Sequence, residues 1–159
     1  DCAIRVGELT DSSLVSIKLA ENRRVVVASP DYLVRHGTPQ MPADLSQHNC
    51  LSLGQQRGWL FRDGAEIVSI KVSGLLECND GAVLHEWALA GRGLAWRSLW
   101  EVGQDLKEGT LTSVLDAWQA PPMGIYAVFP QRRHLQLRVR LFIDLLKETY
   151  GRPSYWELR

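Results

Sequence analysis

Apolar and polar positions along the 159 residues fall into short runs that alternate between a period of two and a helical period. Cys2-Ala3-Ile4-Arg5-Val6 reads as a strand ending at Gly7, and a polar loop, Glu8 to Ser13, follows. Leu14 to Leu19 alternates enough for a half-buried strand. Val25-Val26-Val27-Ala28, entered from Arg23-Arg24, is a β-branched run suited to a buried one. In Ser29-Pro30-Asp31 a serine stands at an N-cap with proline at the first helical position. Tyr32 to His36 then makes a short helix that Gly37 ends. Pro42-Ala43-Asp44-Leu45 adds another helical turn.

Strand patterns return at Cys50 to Leu53, Trp59 to Arg62 and Glu66 to Ser73, the last two joined by a hairpin loop containing Asp63-Gly64. Asn79-Asp80-Gly81 opens a clear helix, with Val83, Leu84, Trp87, Ala88 and Leu89 at helical spacing and Gly91 as its stop. Gly93 to Trp96 is the next strand, Trp100 to Glu108 a helix, and Leu111 to Trp118 and Ile125 to Phe129 are strands. Leu135 to Thr149 closes the series as an amphipathic helix, with Leu137, Val139, Leu141, Phe142 and Leu145 on one broad face. Such alternation implies an α/β fold with mostly parallel sheets. The residues after Gly151 read as a mobile end or a contact arm.

Composition narrows the class. With 45% apolar and 23% charged residues the chain has the balance of a soluble globular protein, long enough for one domain or two small lobes sharing crossover strands. Its 18 basic and 18 acidic residues cancel, which argues against this segment gripping DNA, since phosphate affinity needs clustered positive charge. No apolar run approaches the roughly 20 residues of a membrane helix, and no signal-peptide pattern opens the chain. The three cysteines, Cys2, Cys50 and Cys78, are odd in number and widely spaced, as buried hydrophobes in a reducing cytoplasm would be. A strand that begins at once after Asp1, without Met, reads as a fragment.

Catalytic and metal signatures are weak. His36, His48, His85 and His134 have no ligand spacing, no C-x-x-C pairs with them, and no cofactor motif follows a strand, so neither metal nor cofactor is expected. Cys50 with His48 is the one imaginable nucleophile and base, two residues apart on one strand face but with no third group to orient them.

The order of several segments carries more. Ala3-Ile4-Arg5-Val6-Gly7, Asp11-Ser12-Ser13-Leu14-Val15, Val27-Ala28-Ser29-Pro30-Asp31-Tyr32-Leu33 and His36-Gly37-Thr38-Pro39 come first. Pro42-Ala43-Asp44-Leu45, His48-Asn49-Cys50-Leu51, Asn79-Asp80-Gly81, Ala90-Gly91-Arg92-Gly93-Leu94-Ala95 and Arg138-Val139-Arg140 follow. Across nearly the whole chain this succession resembles the effector domain of LysR-type bacterial transcriptional regulators, in the CrgA-like and aromatic-degradation subgroup. The resemblance implies a fold like the type 2 periplasmic binding proteins, with two lobes flanking a cleft for a small effector. Residues 21–110 would form the complete lobe, and 1–20 with 111–150 an incomplete second lobe holding the crossover strands. Residues 151–159 would be a tail. The family's winged helix-turn-helix is absent, so DNA would be reached only through a missing N-terminal domain, and the regulator would act as a homo-oligomer. The family also puts hydroxyl and amide contacts on a helix that is missing here, which would leave the site open on one side. Trp96-Arg97-Ser98-Leu99-Trp100 stands where relatives usually carry an aliphatic-proline sequence.

An effector cleft of this kind is lined by loops at the carboxyl ends of strands, where helix N-termini present free N–H groups. On this sequence those positions are Gly7, Glu8 and Leu9; Leu53 and Gly54 in the turn running to Gly58; Asn79 and Asp80; and Trp96, Arg97 and Ser98. Arg97 could fork onto a carboxylate and Trp96 stack on an aromatic ring. Each has an ordinary alternative: Asn79-Asp80 as a helix cap, Trp96 as core, Arg97 as a surface or interface charge, and Arg132-Arg133-His134 as plain surface. Glu8 and Asp80 oppose an anion, so the sign of the effector stays open, with organic acids and aromatics the candidates. The competing functions are a periplasmic solute-binding protein of the same fold and a small α/β enzyme.

Overall fold

In the computed structural model, residues 2–7, 14–54, 58–130 and 136–152 are described. Glu8, Leu9 and residues 55–57, 131–135 and 153–159 lie outside them. The chain divides into two compact units, one of residues 1–23 and 122–159, the other of residues 24–121.

The larger unit is built on β3 (Arg24–Ala28), whose Val25-Val26-Val27 run is buried on both faces. Successive residues of a strand point to opposite faces. Val26 and Ala28 accordingly enter one core with Tyr32, Trp59, Phe61 and Trp96. Val25 and Val27 enter another with Leu84, Ala88 and Val102. The same alternation splits β4 (Cys50–Leu53) and β8 (Leu94–Ser98): Cys50, Leu94 and Trp96 face the first core, Leu51 and Ala95 the second. With β7 (Glu77–Cys78) and β9 (Thr112–Val114) these strands form a five-stranded sheet in the order β7-β4-β8-β3-β9.

One layer over this sheet holds α1 (Pro30–His36), a 3-10 turn at Pro42–Gln47, and the antiparallel hairpin of β5 (Gly58–Asp63) and β6 (Glu66–Lys71). The other holds α2 (Gly81–Leu89) and α3 (Leu99–Glu108). Local signals explain the boundaries. Ser29 Oγ accepts the Tyr32 N–H with Pro30 following, Gly64 turns the hairpin at φ 60°, and Gly109 closes α3 in the left-handed region at φ 73°.

In the smaller unit β1 (Ala3–Val6), β10 (Met123–Pro130) and β2 (Leu14–Asn22) form a three-stranded sheet in the order β1-β10-β2, with antiparallel neighbours. The helix α4 (Leu137–Tyr150) packs Val139 and Ile143 against Leu19, Ala127 and Phe129.

Several expectations change. The sheets are mixed, not mostly parallel: β4 pairs parallel with β7 and β8, whereas β3 runs antiparallel to both β8 and β9. A β-branched run buried on two faces reads alike in either direction, so its composition signals burial and not orientation. On α4 the broad apolar face divides. Val139 and Ile143 are buried, while Leu137, Leu141, Phe142 and Leu145 are exposed; each of the three leucines stands two residues from a buried position, on the opposite side of the helix. The strand expected over Leu111 to Trp118 stops at Val114, since Leu115 takes a left-handed conformation (φ 60°) and Asp116–Trp118 is a 3-10 turn. β6 ends at Lys71, two residues short of Ser73. The larger unit, residues 24–121, takes in β9 through its pairing with β3.

Candidate functional site

The register of the five-stranded sheet gathers most of the candidate residues along one edge. Leu53 lies opposite Cys78, Leu51 opposite Ala95, and Arg24 opposite Ser98. The carboxyl ends of β4, β7 and β8 and the start of β3 therefore come level. Leu53, Gly54, Asn79, Asp80, Trp96, Arg97 and Ser98 share this edge with the first turns of α2 and α3. Gly7 belongs to the smaller unit, where its N–H is bonded to the Gly124 carbonyl at 2.9 Å. Glu8 and Leu9 are outside the described residues.

The two helix starts are already capped. Asp80 accepts the Ala82 N–H at 2.8 Å, and the Ser98 N–H donates to Glu101 Oε2 at 3.1 Å. Both acidic side chains thus stand where the helix dipole favours negative charge. Asn79 and Asp80 are exposed, Leu53 and Gly54 half-buried. Gly54 adopts φ 55°, a conformation open to glycine that directs the chain off β4.

Trp96 and Arg97 leave β8 on opposite faces, so they cannot hold the ring and the carboxylate of one ligand from the same side. Trp96 packs into the first core, its ring 6.4 Å from that of Trp59. Arg97 is 5% exposed and pairs with Glu101 at 3.0 Å. Its guanidinium lies against Gly81, where a Cβ would fall 2.7 Å from Nη2. Nε of Arg97 is left buried without a hydrogen-bond partner. A side chain so engaged acts as a strut between the strand edge and two helices.

Arg24 is absent from the candidates that the sequence supplies. Its guanidinium lies 4.6 Å over the Trp96 ring, and its Nε and Nη1 are buried without hydrogen-bond partners. Burial, with Arg97 nearby, pulls its pKa down, and Glu101 partly offsets that. The strand period alone could have found it, because Arg24 shares a face with Val26 and Ala28 and must point into the packed layer.

The imagined Cys50–His48 pair does not form. Cys50 is fully buried, its thiol directed at the Leu45 carbonyl and pushed up to about 12 by desolvation. His48 Nδ1 meets the Tyr32 hydroxyl at 3.2 Å instead. Among the described residues no cluster of His, Cys, Asp and Glu could hold a metal ion, and no helix is long and apolar enough to cross a membrane.

Comparison with known proteins places this geometry. Residues 1–151 match the LysR substrate binding domain family. The chain is 33% identical over 155 residues to the HTH-type transcriptional regulator DmlR of Escherichia coli K12, covering 95% of this chain and 50% of that protein. It is 32% identical over 162 residues to the HTH-type transcriptional activator TtdR of the same strain, covering 97% and 52%. The chain thus spans about half the length of the curated relatives it matches. Among solved structures, the CrgA regulatory domain from Neisseria meningitidis superposes with a TM-score of 0.80 at 34% identity, covering 95% of this chain and 76% of that one. The full-length Vibrio cholerae virulence activator AphB gives 0.79 at 31% identity, covering 92% and 51%.

Proposed function

The chain belongs to the LysR substrate-binding domain family, and from that premise we propose that it is the effector-binding module of a bacterial transcriptional regulator, not an enzyme. The fold is the periplasmic-binding-protein type 2-like α/β arrangement, and curated relatives are transcriptional regulators. In this reading a small organic acid or aromatic compound binds along the edge where the carboxyl ends of β4, β7 and β8 meet the starts of α2 and α3. The effector biases two arrangements of the regulator unequally, which is what coupling to DNA requires. DNA contact belongs to a separate domain, and the regulator works in the cytoplasm as a homo-oligomer.

The observation that carries the reading is the convergence of Leu53, Gly54, Asn79, Asp80 and Ser98 with two helix N-termini at one sheet edge.

A thermal-shift screen of small organic acids and aromatics tests it. A true effector at roughly 100 times its Kd adds about 2.7 kcal/mol of apparent stability. A library in which no compound raises the melting temperature would count against the reading. So would a compound that is turned over.

A further inference from the structure

The effector edge lies in the larger unit and leaves α4 of the smaller one without a role. Successive residues of a helix stand about 100° apart, so Leu137, Leu141 and Leu145 form a stripe directly opposite the side that buries Val139 and Ile143. These leucines are 69%, 59% and 58% exposed, and Phe142 beside them is 47% exposed. The other α-helices each show a single large exposed apolar residue: Val34 on α1, Leu89 on α2 and Trp100 on α3. Scattered apolar residues are ordinary on a surface, whereas a continuous stripe marks a place of contact.

Charge borders the stripe in a self-complementary way. Arg140 and Asp144 share one flank, and their own ion pair is long, 4.0 Å, with both side chains largely exposed. Each can therefore turn to a second partner. A two-fold axis at Leu141 lays a second α4 antiparallel on the first and brings like flanks together. Leu137 then meets Leu145 of the second copy, and Leu141 meets its own counterpart. At about 1.5 Å of rise per residue, Asp144 falls roughly 3 Å along the axis from Arg140 of the second copy, twice by symmetry. A parallel pair would instead set Arg138 beside Arg140 of the other copy, a like-charge contact that disfavours it.

We infer that the outer face of α4 is a two-fold interface between copies of this chain, with Leu141 on the axis. The inference rests on the homo-oligomer reading and deepens it by naming the surface. The four apolar side chains expose roughly 400 Å² between them, within the range of the largest patch on a monomer. Counted on both copies, with the stems of Arg140 and Asp144, the contact buries about 1,000 Å², the low end for specific association. A formal net charge of zero adds no general repulsion between copies. The expected dissociation constant is weak for a dimer, about 10–100 µM.

Sedimentation velocity of the whole chain between about 1 and 500 µM reads this equilibrium. Leu141→Asp places two carboxylates on the axis and is expected to raise the dissociation constant about tenfold or more. Val34→Asp, at an exposed apolar position on α1, is expected to leave it unchanged. Asp144→Arg is expected to weaken the dimer, and Arg140→Asp combined with Asp144→Arg to restore it. Circular dichroism checks the fold of each variant; should Leu141→Asp fail to fold, the charge exchange carries the comparison.

A dimer that survives Leu141→Asp, or that loses as much to Val34→Asp, overturns the inference and leaves the homo-oligomer reading standing. So does a charge exchange that fails to restore association. A chain ended at Arg152 that dimerises where the whole chain does not would make residues 153–159 the occupant of the stripe, which overturns it too. A chain monomeric at every concentration overturns the inference and removes this domain's support for the homo-oligomer reading. The effector-binding reading is tested separately by the thermal-shift screen.

Discussion

Arg97 on β8 and Glu101 in the first turn of α3 form an ion pair at 3.0 Å, with the arginine 5% and the glutamate 24% exposed. The pair closes the strand-to-helix junction, because the other oxygen of Glu101 accepts the Ser98 N–H. Removing the negative charge strands a buried guanidinium against Gly81. Breaking a fully buried pair costs roughly 3–5 kcal/mol; with Glu101 partly exposed, Glu101→Gln is expected to cost about 2 kcal/mol. Urea unfolding monitored by tryptophan fluorescence measures it. An unchanged midpoint would mean that Arg97 is solvated despite its burial.

Gly93 precedes β8 and lies against the Asn49 carbonyl, which accepts the Leu94 N–H at 2.9 Å. A Cβ at Gly93 would overlap that oxygen, and since it is a backbone atom it cannot swing aside as a side chain would. Gly93→Ala is expected to destabilise by about 3 kcal/mol, at the upper end of overpacking effects, although alanine restricts the unfolded chain. Gly109→Ala is the informative control. It meets no atom within 4 Å but sits at φ 73°, so its smaller loss reports backbone strain alone. Equal losses in the two variants would contradict the steric account.

On α4 the buried residue Ile143 and the exposed residue Leu141 separate packing from composition. Ile143→Ala should cost about 3 kcal/mol through lost burial and a cavity, and Leu141→Ala less than about 1 kcal/mol. Equal effects would place the packed face of the helix elsewhere.

Why the sequence misassigned α4 while reading β3 correctly is a matter of what each pattern encodes. Val25-Val26-Val27 carries no polar residue, so burial on two faces is the consistent reading, and it is what the sheet imposes. Its direction is set by hydrogen-bonded neighbours, which composition does not reveal. On α4 the apolar residues are too many for one stripe. Choosing between Val139-Ile143 and Leu137-Leu141-Leu145 depends on the partner sheet, which lies far off in sequence. The candidate site divides in the same way. Asp80 as a cap and the edge position of Ser98 follow from local rules. The engagement of Arg97 by Glu101, and the placement of Arg24 over Trp96, arise from register between strands distant in the chain.

Thiol chemistry should discriminate sharply among the three cysteines. Cys50 is buried with its thiol pushed up to about 12, whereas Cys2 and Cys78 are partly exposed. At pH 8 a thiol of that acidity is about one part in ten thousand thiolate, and the thiolate is the reactive form. A disulfide reagent is expected to modify Cys2 and Cys78 promptly and Cys50 only after denaturant is added. Prompt labelling of Cys50, located by peptide mapping, would refute the packing around Leu45.

The Tyr32 hydroxyl accepts the Asn49 N–H at 3.0 Å, so its single proton is available for His48 Nδ1 at 3.2 Å. That bond requires Nδ1 to be unprotonated. Burial, and then the nearby His36, pull the His48 pKa below its ordinary value of 6.5 in the folded chain, with Asp44 opposing weakly. Between the two values the unfolded chain binds more protons than the folded one, so stability rises with pH. The contribution of His48 is therefore complete above about pH 6.5 and is lost as pH falls from there through the folded-state value. His48→Gln keeps a polar partner for Tyr32 without a titrating group. Urea midpoints compared at pH 7.5 and 5.5 should fall more for the parent chain than for His48→Gln, with the extra fall confined to below about pH 7. A parent midpoint that instead gained on that of His48→Gln as pH fell would reverse the sign and show that the protonated imidazole is the form the fold prefers.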